Sequence, residues 1–271
     1  FNGWAKTMNA FFTAIVAIFA ILSFTHTFFP LLVPAAAGLS GMVMARSLKL
    51  NPSIEALVLF PSLVCLAAIT AFFVLIGIEL EMNIIEVVKK YVSEAVDLNI
   101  GFYARLPLKP EEIKAIQDSK DGIIDFLARL FPAICTISVL SVIWLNVLLI
   151  RRILGKKTVK PYVFSGLSQW KTPPWLVWVF IAAAAMIMLS HTYLRFAGIN
   201  IFLVVSFLYL LQGLAIVSFF FQSKNISMFF RVIIYFLIAV QQLLMVAIAL
   251  VGLFDLWVDF RKYFRKDQAT G

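Results

Sequence analysis

Two aspartates four residues apart, Asp255 and Asp259, close the last apolar run of the chain, with Arg261 just beyond them. At that spacing the two carboxylates share one face of a helix. A carboxylate at the edge of a membrane could bind a cation, relay a proton or hold a partner helix. An acid at a helix end, paired with an arginine and setting helix depth, is the commoner arrangement and the preferred reading. Its partner would report topology: Arg195 if the C-terminal tail lies outside, Arg151 or Arg152 if it lies inside. Three amides, Gln212, Gln241 and Gln242, also sit within apolar runs, with Gly213 beside the first. They are candidate contacts for a polar solute, although such amides more often hydrogen-bond between helices, for about 1 kcal/mol or less each. A stripe of small residues, Ala10, Ala14 and Ala17, would let a second helix approach the first run closely.

Catalytic patterns are thin. Gly38, Leu39, Ser40 and Gly41 match the short G-x-S-G string of rhomboid proteases, and His191 could be offered as its base. The wider rhomboid pattern is absent, and four small residues match easily by accident in membrane helices. Cys65 and Cys135 each lie inside an apolar run and read as buried thiols; His26 and His191 are too isolated for a metal cluster. The expectation is a protein that is not an enzyme, with no metal and no cofactor.

Composition explains why polar chemistry is so sparse. Of 271 residues, 62% are hydrophobic and 14% charged, with a mean hydropathy of +0.97. A globular domain carries about a quarter charged residues, so too little polar surface remains here to face water. Lipid must solvate most of the outside, and in lipid every backbone polar group needs an internal partner. The apolar runs are continuous rather than alternating, which selects an all-α bundle of transmembrane helices over a barrel. The net charge of +9 is gathered in short segments between those runs. That is the positive-inside bias rather than a nucleic-acid surface. The chain begins at Phe1, so a fragment or a processed chain is expected, without a recognisable signal peptide.

The whole chain, 1–271, reads as one transmembrane domain with six to eight spans. Apolar runs cover about 8–28, 31–45, 54–78, 130–150, 174–191, 199–221 and 228–257. Between the third and fourth lies a hydrophilic insert, 80–127. It would form two amphipathic helices on the bilayer surface or over the mouth of the bundle. The first sets Ile84, Val88, Tyr91, Val92 and Ala95 on one face; the second carries Ile113, Ile116, Ile123, Ile124 and Leu127. Trp170, Trp175, Trp178 and Trp257 sit near run ends, where their rings favour headgroups.

Segment 151–173 holds six bases and no acid, which marks it as cytoplasmic in a bacterial inner membrane. The 80–127 insert, with nine acids against six bases, falls on the other side. The tail is discordant: three apolar runs separate the basic segment from Arg261, Lys262, Arg265 and Lys266. The run 228–257 exceeds the ~20 residues needed to cross. It is either one long tilted helix or a helix that breaks near Gln241 and Gln242 and doubles back, the second being preferred.

Several strings resemble the YybS-like family of bacterial multi-pass membrane proteins. They are Phe131 and Pro132 opening a span that closes with Trp144, Leu145 and Asn146, then Arg151 and Arg152; the string from Gln169 to Trp175; Asn200 followed by Leu208 to Gly213; and, most distinctively, the string from Gly252 to Arg261. The architecture is also distantly similar to the substrate-binding membrane subunits of energy-coupling-factor vitamin transporters and to the rod-shape protein MreD. The resemblance implies a non-catalytic solute-binding or transport subunit or, alternatively, a membrane scaffold that engages another membrane protein through its first span. Lipid is the one certain partner, and no nucleic acid is expected.

Overall fold

The computed structural model describes residues 32–49, 53–103, 110–158 and 167–262, and among them there is helix and no strand. The chain falls into two compact units, Phe1–Val147 and Leu148–Gly271. The first holds α1 (Leu32–Lys49), α2 (Ile54–Glu79), α3 (Ile84–Tyr103), α4 (Pro110–Asp118) and most of α5 (Lys120–Thr158). The second holds a 3₁₀ turn (Leu167–Gln169), α6 (Leu176–Ile187), α7 (Thr192–Ser223), α8 (Met228–Val240) and α9 (Gln242–Val258).

Three described helices are long and apolar enough to cross a membrane: α2, α5 over Lys120–Ile150, and α7. The pair α8–α9 would make a fourth if it counted as one span. This is fewer than the six to eight expected from hydropathy, for identifiable reasons. Run 8–28, with Ala10, Ala14 and Ala17, lies outside the described residues. Run 31–45 is helical, but α1 spends much of its length on Ala, Gly and Ser and ends in Arg46 and Lys49. Run 174–191 yields only the 12-residue α6, about 18 Å at 1.5 Å per residue, because Pro173 and Pro174 delay its start. Run 228–257 breaks at Gln241, where φ −93° and ψ 105° leave the helical region and the axes turn by 103°.

In the first unit α1 packs on α2. Pro61 inside α2 is tolerated, and the next residue's hydroxyl, Ser62 Oγ, donates to the Val58 carbonyl at 2.7 Å. A tight turn at Glu81, φ 54°, leads into α3. Asn83 and Glu86 cap α3 reciprocally: Glu86 N donates to Asn83 Oδ1 at 2.9 Å and Asn83 N to Glu86 Oε2 at 3.0 Å. Val87 and Val88 are the buried residues of α3 near this cap, while Ile84, assigned to the apolar face from periodicity, is exposed. The second amphipathic helix does not exist as one element. The chain breaks at Ser119, and Ile123, Ile124 and Leu127 belong to the start of the 39-residue α5. Lys89 pairs with Asp125 and Lys120 with Asp97, each at 2.6 Å, clipping α3 to that start.

In the second unit α6 and α7 pack side by side, and Gly198 makes the approach feasible. A Cβ there would lie 2.7 Å from Met186 Cβ and 2.9 Å from the Ala183 carbonyl oxygen. Leu176, Val205 and Tyr209 form the core between them, joined by Leu253 and Leu256 of α9. The α7–α9 crossing is closer still, with Gly213 against the backbone of Ile248 and Gly252 against the carbonyl of Tyr209. Small residues at such crossings let backbones meet where lipid offers no hydrophobic drive to helix association.

Candidate functional site

The glycine crossing places Gln212 of α7 directly beside Asp255 of α9, both essentially without exposed surface. Gln212 Nε2 donates to Asp255 Oδ2 at 3.1 Å. On its other side the amide oxygen accepts from Thr172 twice, from the backbone N at 3.0 Å and from the hydroxyl. Asp255 also accepts from Arg261 Nη1 at 2.6 Å and from the Phe260 backbone N at 3.0 Å. Arg261 also donates to backbone: Nε to the Ser168 carbonyl at 3.1 Å and Nη2 to that of Trp170 at 2.8 Å. A planar guanidinium with donors on several edges suits three acceptors in a fixed fan, which an ammonium would not match.

The chain reaches this geometry by ending α9 abruptly. Asp259 takes a left-handed conformation, φ 46° and ψ 65°, and its N donates to the Asp255 carbonyl at 3.2 Å. Aspartate tolerates that region better than most side chains. The reversal swings Arg261 back over Asp255. Lys171 braces the turn from outside, 2.9 Å from Asp259 and 3.9 Å from Asp255.

Asp255, Asp259, Arg261 and Gln212, all singled out from sequence, are thus brought together. The arginine partner lies six residues along the same chain, where the sequence reading looked to Arg195, Arg151 or Arg152. Gln241 and Gln242 do not share this environment, since both are exposed at the break between α8 and α9. The site is completed by groups that sequence reasoning did not assign: Thr172, Lys171 and the carbonyls of Ser168 and Trp170. Chemically, the cluster is densely hydrogen-bonded. Asp255 receives three hydrogen bonds, and Arg261 donates three. This arrangement clamps a tail to a loop and holds two helices in register.

A model of the family described as predicted membrane protein (DUF2232) matches residues 5–256. The chain belongs to that family. No curated protein and no solved structure matches it. In this DUF2232 chain the family match takes in Thr172, Gln212 and Asp255, and stops short of Arg261.

Two further features bear on function. Ser40 Oγ donates to the Ala37 carbonyl at 2.8 Å, a local backbone bond within α1. In the first unit a cavity of about 500 Å³ opens, lined by residues of α1, α2 and α5 that include Ala37, Cys65, Ala68, Phe72, Phe131 and Cys135. Phe73 stacks edge-on against Phe131 at 5.0 Å and against Tyr91 of α3 at 6.0 Å. The amphipathic α3 therefore touches one of the aromatic residues that line the cavity.

One polar group in the second unit lacks a partner. Tyr209 is 1% exposed, and its hydroxyl makes no hydrogen bond among the described residues. An unsatisfied buried hydroxyl costs about 1–3 kcal/mol. Tyr209→Phe is therefore expected to leave the fold intact and to raise the unfolding midpoint in detergent by a few degrees; a fall would reveal a partner for the hydroxyl.

Proposed function

We propose that this protein is a non-catalytic solute-binding membrane subunit that holds a small, mostly apolar molecule in the cavity of its first unit. The observation that carries the reading is the cavity itself. At about 500 Å³ it falls within the ~300–1,000 Å³ common for small-molecule sites. Its wall is alanine, aromatic and aliphatic, with the two thiols and Ser138 as the polar exceptions. Such a lining favours a neutral solute over an ion. The solute class therefore differs from that anticipated from Gln212, Gln241 and Gln242, because Gln212 is consumed by the clamp. The architectural similarity to vitamin-transporter subunits supports this reading. A bacterial cytoplasmic membrane, with segment 151–173 inside, is the matching location.

A scaffold reading rests on a different observation: the buried polar cluster at Gln212, Asp255 and Arg261 is bonded to the protein itself and holds its elements together. Native mass spectrometry of the gently purified chain separates the two. A stoichiometric apolar molecule is expected, displaced at least tenfold by Ala68→Phe, which fills the cavity, and unaffected by Gln212→Ala. An empty chain carrying a co-purified membrane protein would sink the solute reading and favour the scaffold. The intact chain contains the first apolar run, so displacement by Ala68→Phe also tests whether the cavity is open in the full protein.

A further inference from the structure

Both ends of the α8–α9 pair are tied to one residue. At the end of α7, just before the pair begins, Gln222 Oε1 accepts from Ser168 Oγ at 3.4 Å. Just after the pair ends, Arg261 Nε donates to the Ser168 carbonyl at 3.1 Å. Arg261 also reaches the Trp170 carbonyl, and Lys171 reaches Asp259. The start of α8 is fastened to the end of α7 and the turn after it: Arg231 Nη2 donates to the Phe221 carbonyl at 3.1 Å and Nε to that of Ile226 at 2.8 Å.

Length makes this informative. The two helices have 13 and 17 residues, which laid end to end would extend about 45 Å at 1.5 Å per residue. That is enough to cross a hydrocarbon core of about 30 Å. A crossing would leave Gln222 and Arg261 on opposite faces, at least about 30 Å apart, and one serine could not touch both. The axes turn by 103° at Gln241, and the two contacts of Ser168 require that the chain returns. Phe229, Phe230, Phe236, Val240 and Leu243 stand exposed along the pair, a surface that only lipid or another protein would cover. The pair therefore belongs in the membrane without spanning it.

We infer that α8–α9 is a re-entrant pair that enters and leaves the membrane on one face, the face of Ser168, Trp170 and Lys171. The charge discord in the sequence then disappears. Arg261 and Lys262 lie on the same side as Lys171, as positive-inside bias requires. The clamp at Asp255 is the fastening that holds the re-entrant pair to its own face.

Sidedness of single cysteines tests this directly, in a chain carrying Cys65→Ala and Cys135→Ala. Reporters are Gly155→Cys, Ala269→Cys and Leu189→Cys, the last in the turn between α6 and α7. Sealed vesicles of one orientation are treated with a membrane-impermeant maleimide, before and after permeabilisation. Gly155→Cys and Ala269→Cys are expected to label together, and Leu189→Cys from the opposite side. Labelling of Ala269→Cys together with Leu189→Cys would overturn the inference. An epitope tag after Gly271 of the unaltered chain, probed by protease from each side, gives the same reading without touching the cavity thiols. Removal of the tag from the face opposite to Gly155 would be equally fatal.

Discussion

Gly252→Ala is expected to destabilise the protein by about 1–3 kcal/mol, the usual cost of forcing extra atoms into a filled contact, and Gly252→Val by more. The added Cβ would fall on the Tyr209 carbonyl oxygen and 2.8 Å from Gly213 N. Neither obstacle is the free end of a side chain, so relief requires α7 and α9 to move apart. Separation would also pull Asp255 away from Gln212, so the crossing and the clamp should fail together. Gly213→Ala meets the backbone of Ile248 in the same way and should behave alike. The contrast is what makes the experiment decisive. Gly41, Gly101 and Gly122 are helical and have nothing within 4 Å of a built Cβ. Alanine at each should be neutral or stabilise by up to about 1 kcal/mol through helix propensity. Thermal unfolding in detergent, read for all five alanine variants, should split them into two groups. Indistinguishable midpoints would mean that α7 and α9 do not meet at these glycines.

How far the sequence exposes this arrangement depends on which interaction is involved. Hydropathy finds helices because lipid demands apolar surface along their length, and α2, α5 and α7 follow from it. It overcounts spans because it averages composition and ignores where a helix can begin or must stop. Pro173 and Pro174 shorten α6, and a single non-helical residue, Gln241, divides what hydropathy reads as one run. The amide pair at 241–242 did mark that break, since polar groups in an apolar run need a reason to be there.

The clamp was legible by half. Gln212, Asp255 and Arg261 stand out as polar or charged residues at or near apolar runs. Their partners on the loop do not, because two of them are backbone carbonyls, which every residue has. Thr172 and Lys171 lie within a string that attracted notice for family resemblance, and no periodicity links that string to α7 or α9. The choice of Arg261 over Arg195 depends on the left-handed turn at Asp259, a tertiary outcome with no pattern of its own. The cavity was invisible for a related reason. Alanine, cysteine and phenylalanine fill helix interiors everywhere, and only the spacing between helices leaves room among them.

Breaking the clamp from either side should be costly, and breaking it from both sides much less so. Asp255→Ala removes the carboxylate that lies 2.6 Å from the Arg261 guanidinium, 2% exposed; Arg261→Ala leaves a carboxylate with no exposed surface facing Lys171 at 3.9 Å in place of its 2.6 Å partner. Loss of one member of a buried ion pair typically costs about 3–5 kcal/mol, because the remaining charge is uncompensated. Arg261→Ala also removes the hydrogen bonds that Arg261 donates to the carbonyls of Ser168 and Trp170, so it should be the worse of the two. Replacing both charges by apolar side chains of similar volume, Asp255→Leu with Arg261→Met, removes the uncompensated charge, and the double variant should be more stable than either single one. Arg261→Lys restores charge but not the three-way fan of donors, and should recover only part of the loss. Unfolding midpoints measure these differences, while trypsin reports where they act. Release of the tail should expose Lys262 to cleavage in the single variants at conditions where the parent chain is protected. Additive single losses in the double variant would show that Asp255 and Arg261 do not act as a pair. Rapid cleavage after Lys262 in the parent chain would show that the tail is not fastened to the loop at all.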